Sequence, residues 1–187
     1  NYTPEWGSYN DPKNHFFCRA ILGIDRAITW FASRKDVDSD RIVYTGNSQG
    51  GGYGLVLTGL NKHVSAANVN IPGLCDHLAY LKGRSPGWPA VLSERRRRGM
   101  SREQIETIAG ALPYFDAVNF ARKIEVPVLM SMGYRDTTCP PSGVYAAYNV
   151  MTCPKQIICD TRMGHGMSPQ TATRVHGWIR KKLGLQQ

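Results

Sequence analysis

The stretch Arg41-Ile42-Val43-Tyr44-Thr45-Gly46-Asn47-Ser48-Gln49-Gly50-Gly51-Gly52-Tyr53 decides the fold of this chain. Arg41 to Thr45 is a short β-branched and aromatic run, which predicts a strand. Gly46 to Gly52 reads as a sharp turn, and Tyr53 to Leu60 continues as a helix. Inside the turn, Gly46-Asn47-Ser48-Gln49-Gly50 fits G-x-S-x-G, and its place between strand and helix is the context of a nucleophile elbow. The logic is steric. The turn is so tight that Ser48 takes a strained backbone, and the residues two before and two after it must be small. The hydroxyl is thereby pushed above the sheet edge. The following helix aims the positive end of its dipole at the site, and the backbone N–H of Gln49 is placed to donate to a developing oxyanion.

Outward from this stretch, helix and strand alternate, as in a parallel sheet with crossover helices. Asn14 to Arg34 reads as a helix, with Phe17, Ala20, Ile21, Ile24, Ile28 and Phe31 at helical spacing. Asp38-Ser39-Asp40 makes a turn into the first strand. Ala66 to Ile71 is a second strand, ended by Pro72-Gly73. Cys75 to Arg122 is mostly polar and helical, broken at Pro86-Gly87, Gly99 and Pro113, and reads as an insertion over the sheet. Pro127 to Met132 is a third strand, apolar enough for burial on both faces. Ser142 to Asn149 is a short helix and Lys155 to Asp160 a fourth strand. Ser168 to Leu183 is a closing helix with Val175, Trp178, Ile179 and Leu183 on one face, ended by Gly184. The expected fold class is α/β, and 187 residues make one domain the simplest organisation.

A serine hydroxyl needs a base, and the base needs an orienter. In α/β-hydrolases the chain order is Ser, then Asp or Glu, then His. Asp136 follows the third strand and His165 the fourth, both just past the C-terminal strand ends where open α/β sheets place their ligand crevice. Asp136 also fits a turn or N-cap residue. Asp160 is a rival acid, but it sits at a strand end too near His165 in sequence for the usual arrangement. His165 is flanked by glycines, whereas His15, His63, His77 and His176 have structural or exposed settings. Cys139 lies three residues past Asp136, with no base implied for it.

Composition bounds the rest. The net charge of +9 includes the run Arg95 to Arg98 and Arg180-Lys181-Lys182. An anionic polymer would be attracted to it, but a solvated helix face is the plainer account, and no nucleic-acid motif accompanies the charge. The five cysteines show no metal spacing, and their odd count leans against a disulfide-stapled secreted scaffold. No apolar run reaches the roughly 18 residues of a membrane span, so no membrane partner is expected. The first residues, Asn1-Tyr2-Thr3-Pro4, carry no basic-then-apolar leader; one removed or lying upstream is compatible with that. Periplasmic or secreted use and cytoplasmic use both fit.

Several blocks carry a specific resemblance. Asp38-Ser39-Asp40-Arg41-Ile42 leads into the elbow glycines, and Ile71-Pro72-Gly73-Leu74-Cys75-Asp76 follows the second strand. Tyr114-Phe115-Asp116-Ala117-Val118-Asn119-Phe120-Ala121 and Cys139-Pro140-Pro141-Ser142 are more specific than G-x-S-x-G, and Ala146-Ala147-Tyr148-Asn149 and Gly164-His165 complete the set. The chain resembles the acetyl xylan esterase and cephalosporin C deacetylase family, carbohydrate esterase family seven, over nearly its whole length. The resemblance implies an α/β-hydrolase fold and deacetylation of acetylated oligo- or polysaccharides through Ser48, Asp136 and His165. It also implies no metal or cofactor, and homo-oligomers, often hexamers that enclose the active sites.

Three departures stand out. Asn47 occupies a position usually held by a smaller residue. The insertion with Arg95 to Arg98 does not match closely and is expected to shape the pocket. The largest departure is at the start. The resemblance implies about four more strands ahead of the first helix, with a second oxyanion donor and a tyrosine from a loop among them. Tyr2 and Tyr9 lie too close to the first helix to be matched to it. Without those strands the outer edge of the Ser48 strand is unpaired and apolar, which invites aggregation. The expectation is therefore the C-terminal part of a longer esterase, or a truncated copy. Two rivals share the sequence: a methyl esterase or other acyl hydrolase acting on an acidic polysaccharide, and a non-catalytic carbohydrate-binding module descended from an esterase.

Overall fold

A computed structural model describes residues 12–13 and 15–185, apart from the side chains of residues 95 and 96. Tyr2, Tyr9 and Asn14 lie outside the described residues, as do the side chains of Arg95 and Arg96. The first helix, α1 (Phe16–Ala32), starts where the His15 ring nitrogen accepts the Phe17 N–H at 3.1 Å. It stops where the Ser33 hydroxyl bonds back to the Trp30 carbonyl at 2.7 Å. These local caps trim the helix inside the 14–34 span that periodicity predicts.

The elbow follows. Strand β1 (Ile42–Asn47) runs to the residue before Ser48, and α2 (Gln49–Leu60) begins at the residue after it. The sequence expectation put the helix start at Tyr53, with the glycines in the turn. The structure differs: Ser48 alone reverses the chain, at φ 53° and ψ −118°, Gly46 belongs to β1, and Gly50, Gly51 and Gly52 are helical. Their role is close approach. A Cβ on Gly51 would stand 2.8 Å from the Asn70 carbonyl, and one on Gly52 would stand 2.5 Å from the Gly73 carbonyl. Every residue from Gly51 to Thr58 is buried, so α2 is a central helix packed on all sides.

Strand β2 (Val64–Asn70) is followed by the insertion, which contains the short helices α3 (Glu94–Arg97) and α4 (Arg102–Ala111) and ends at α5 (Ala117–Ala121). Then come β3 (Val128–Gly133), α6 (Pro141–Val150), β4 (Lys155–Asp160) and α7 (Pro169–Lys182). The four strands are all parallel and lie in chain order, β1-β2-β3-β4. Among the described residues β1 is paired on one side only. Strand β3 is buried along its whole length, as its continuous apolar run predicts.

The sheet has two unlike faces, set by the period of two along each strand. Ala67, Val69, Val128, Met130 and Met132 join the main core with Phe17, Leu55 and Leu57, and with Val144 and Ala147 of α6. On the other face Leu129 and Ile158 meet Val175, Trp178 and Ile179 of α7. The insertion is less helical and less polar than expected. It combines short helices with 3-10 turns at Ala79–Lys82 and Leu112–Phe115, and buries its own small cluster of Val91, Leu92, Ile108 and Leu112. Breaks at proline and glycine scatter those apolar residues, so no helical period announces them. The buried Asp116 carboxylate closes the insertion, accepting the N–H groups of Asp76, His77 and Val118. No described helix is long and apolar enough to cross a membrane.

Candidate active site

Ser48 sits at the C-terminal end of β1 with a left-handed φ, a conformation that persists in a non-glycine residue only where its surroundings over-determine it. Here they do. The Ser48 N–H donates to the Asn70 carbonyl at 2.9 Å. The Ser48 carbonyl accepts from Gly52 N–H at 3.0 Å and from Gly73 N–H at 2.8 Å. The last bond ties the elbow to the loop that leaves β2.

Asp136 and His165 converge on this serine from separate loops. His165 Nε2 lies 2.8 Å from Ser48 Oγ, and His165 Nδ1 lies 2.8 Å from Asp136 Oδ2. The other carboxylate oxygen, Asp136 Oδ1, accepts the N–H groups of Thr138 at 2.8 Å and Cys139 at 2.9 Å. Asp136 therefore forms an Asx-type turn as well as facing the imidazole. Its side chain is fully covered, while 31% of the His165 side chain is open to solvent. The two loops are laced together by the Arg135 N–H on the Met163 carbonyl at 2.9 Å. At Gly133, where β3 ends, any Cβ would drive into the carbonyls of Met163 and Gly164. The last strand residue is glycine because the histidine loop lies directly on it.

The remaining sequence candidates lie elsewhere or do something else. Asp160 accepts the Arg162 N–H, and a hydrogen bond from Ser168 leads the causes that hold its carboxyl below the ordinary range. His15 and His77 are buried structural residues, and His63 and His176 are exposed. Gln49 opens α2, where a helix leaves its first N–H groups without intrahelical partners. Its side chain turns away from that amide and donates to Tyr53 Oη at 2.7 Å.

Cys139 is closer to the centre than its spacing suggested. Its thiol is buried beside Asp136 and His165. Burial first, then the Asp136 charge, pushes the thiol up to about 12. A thiol held so firmly protonated is a poor nucleophile. Asp136, Cys139 and His165 each offer a ligand atom within 4.8 Å of the others. The hydrogen bonds above already occupy both carboxylate oxygens and both imidazole nitrogens.

The sequence profile of the acetyl xylan esterase (AXE1) family matches residues 6–182. The chain belongs to the acetyl xylan esterase family. It is 33% identical to the acetyl esterase Axe7A of Xylanibacter ruminicola over 174 residues, which cover 93% of this chain and 38% of that protein. Its fold superposes on the acetyl xylan esterase of Paenibacillus sp. R4 with a TM-score of 0.85 at 31% identity, covering 97% of this chain and 58% of that one. The acetyl xylan esterase 1 of Thermoanaerobacterium sp. JW/SL YS485 gives a TM-score of 0.82 at 27% identity, covering 92% of this chain and 55% of that one. The chain thus has the α/β-hydrolase fold and spans between about two fifths and three fifths of the length of these relatives.

Two features of the site escaped the sequence reading. One is the nearness of Cys139 to Asp136 and His165. The other is a polar strut beneath the elbow, formed by Asn47, Asn70 and Ser131. Its signal was present as Asn68-Val69-Asn70, two amides on one face of an otherwise apolar strand.

Proposed function

We propose that this chain carries the nucleophile, base and acid of a serine esterase that removes acetyl groups from acetylated carbohydrates. The observation that carries the reading is the unbroken path from Ser48 Oγ through both nitrogens of His165 to the buried Asp136 carboxylate. The relatives, an acetyl esterase and acetyl xylan esterases, suggest the acyl group and the substrate class.

In the first half-reaction Ser48 Oγ attacks the acetyl carbonyl as His165 Nε2 takes its proton. Asp136 holds the imidazole by Nδ1 and stabilises the cation that forms. The carbonyl oxygen, now an oxyanion, accepts a hydrogen bond from the Gln49 N–H at the start of α2, where the helix dipole favours negative charge. Collapse breaks the ester bond; His165 gives the proton to the departing sugar oxygen, and acetyl-Ser48 remains. Water, deprotonated by His165, then attacks the acetyl carbon and releases acetate, and the proton returns to Ser48. Homo-oligomerisation belongs to the same proposal, and light scattering on the purified protein measures it.

The test is labelling with a fluorophosphonate probe, followed by mass spectrometry of the modified peptide, alongside acetate release from acetylated xylo-oligosaccharides. Adduct on Ser48, lost in His165→Ala, with acetate as product, is the expected result. Release of methanol from methyl-esterified sugars in place of acetate would move the chain to a different ester. A Ser48→Ala protein with full esterase activity would falsify the nucleophile assignment.

A further inference from the structure

The sheet face on the α7 side carries a row of buried polar side chains. Asn70, 1% exposed, and Asn68, fully buried, lie on β2, and Ser131, 1% exposed, lies on β3. The strand register places Thr45 opposite Asn68, Asn47 opposite Asn70, and Asn70 opposite Ser131. Polar groups in such a place are costly unless every donor and acceptor is matched.

Asn70 is matched in full. Its Nδ2 donates to Asn47 Oδ1 at 2.9 Å and to Asn68 Oδ1 at 2.7 Å. Its Oδ1 accepts from Ser131 Oγ at 2.7 Å and from Asn68 Nδ2 at 3.2 Å. Both amide protons and both lone pairs are used, which is all a carboxamide has. The Thr45 hydroxyl on Asn68 at 3.2 Å, and Asn68 on the Leu129 carbonyl at 3.2 Å, continue the row across β1, β2 and β3.

The placement ties this row to the nucleophile. Asn70 grips the elbow at two consecutive residues: its side chain holds Asn47, and its main-chain carbonyl holds the N–H of Ser48. Through Ser131 the same side chain is bonded to the strand whose end leads to Asp136. We propose that Asn70 is a positioning residue, a strut that fixes the distance between the nucleophile strand and the acid strand and holds Ser48 in its left-handed conformation by gripping Asn47. The inference rests on the nucleophile reading of Ser48. Asn47 is then the elbow's handle on the strut.

The experiment is a double-mutant cycle with Asn47→Ala, Asn70→Ala and the pair, made in the full protein. Asn47 is exposed on one side, so its variant keeps the core intact. Thermal melting confirms that each variant is folded, and Asn70→Asp, an isosteric acceptor without the amide protons, serves as a second variant should Asn70→Ala not fold. The readouts are the rate of fluorophosphonate labelling at Ser48, and kcat and KM for 4-nitrophenyl acetate. Misplacing the nucleophile by a fraction of an ångström lowers labelling and kcat by roughly 10- to 100-fold with KM little changed. Acting through one path, the pair is expected to be no slower than the slower single variant. Folded single variants that label at the wild-type rate, or a pair whose losses multiply, overturn the strut while leaving the nucleophile in place. A wild-type protein that takes no label at Ser48 overturns the nucleophile reading, and the strut with it.

Discussion

Ser48, Asp136 and His165 were legible because each needs a local context that sequence displays: a strand-turn-helix for the serine, and a loop past a strand end for the other two. What made them neighbours was less visible. Gly133 lies one residue past the third strand expected from the sequence, yet it ends β3 and is the surface on which the histidine loop rests. Gly133→Ala is expected to push residues 163 and 164 outward, carry His165 away from Ser48, and lower kcat by roughly 10- to 100-fold with the fold retained. Steady-state kinetics with circular dichroism checks it; an unchanged kcat would show that the loop yields without moving the imidazole. The strut under Ser48 was hidden for a related reason. Whether an asparagine in a strand is matched depends on strand register, and register is a property of the folded sheet.

Among the elements, α2 gives the sharpest lesson. Its glycines read as a flexible turn, because glycine after a strand usually marks one. They are helical, and at Gly51 and Gly52 the crossing backbone leaves no room for a Cβ. Gly52→Ala, which would meet the Gly73 carbonyl at 2.5 Å, is expected to destabilise the fold by about 1–3 kcal/mol in urea unfolding. Gly50→Ala, with nothing within 4 Å, is its control and is expected to leave stability nearly unchanged. On the opposite face Leu129 is 2% exposed beneath α7. Leu129→Ala should cost about 2–5 kcal/mol by the same measurement. The closing helix was predicted correctly because its apolar stripe survives in sequence. The insertion was not, since its cluster is assembled from residues on both sides of several breaks.

At the scale of the whole molecule, stability should depend on pH through His15. The imidazole stacks on Phe115 with centroids 4.2 Å apart and accepts the Phe17 N–H. Burial first, then the nearby His77 and Arg19, lowers it from 6.5 to about 4. As pH falls the unfolded chain takes up this proton before the folded one does. The stabilisation is therefore present above about pH 6.5 and is lost progressively towards pH 4. Melting temperatures across that range should fall, and less steeply in His15→Asn, whose side chain can still cap α1. An identical slope in both proteins would place the acid sensitivity elsewhere.

The bond between Ser48 and His165 joins residues 117 apart, from the exit of β1 to the loop after β4. During synthesis the serine leaves the ribosome long before its partner is made. Under the proposed chemistry the nascent chain holds an ordinary alcohol, inert towards esters until β4 docks on β3. A reactive serine therefore reports that the exits of β1, β3 and β4 have come together.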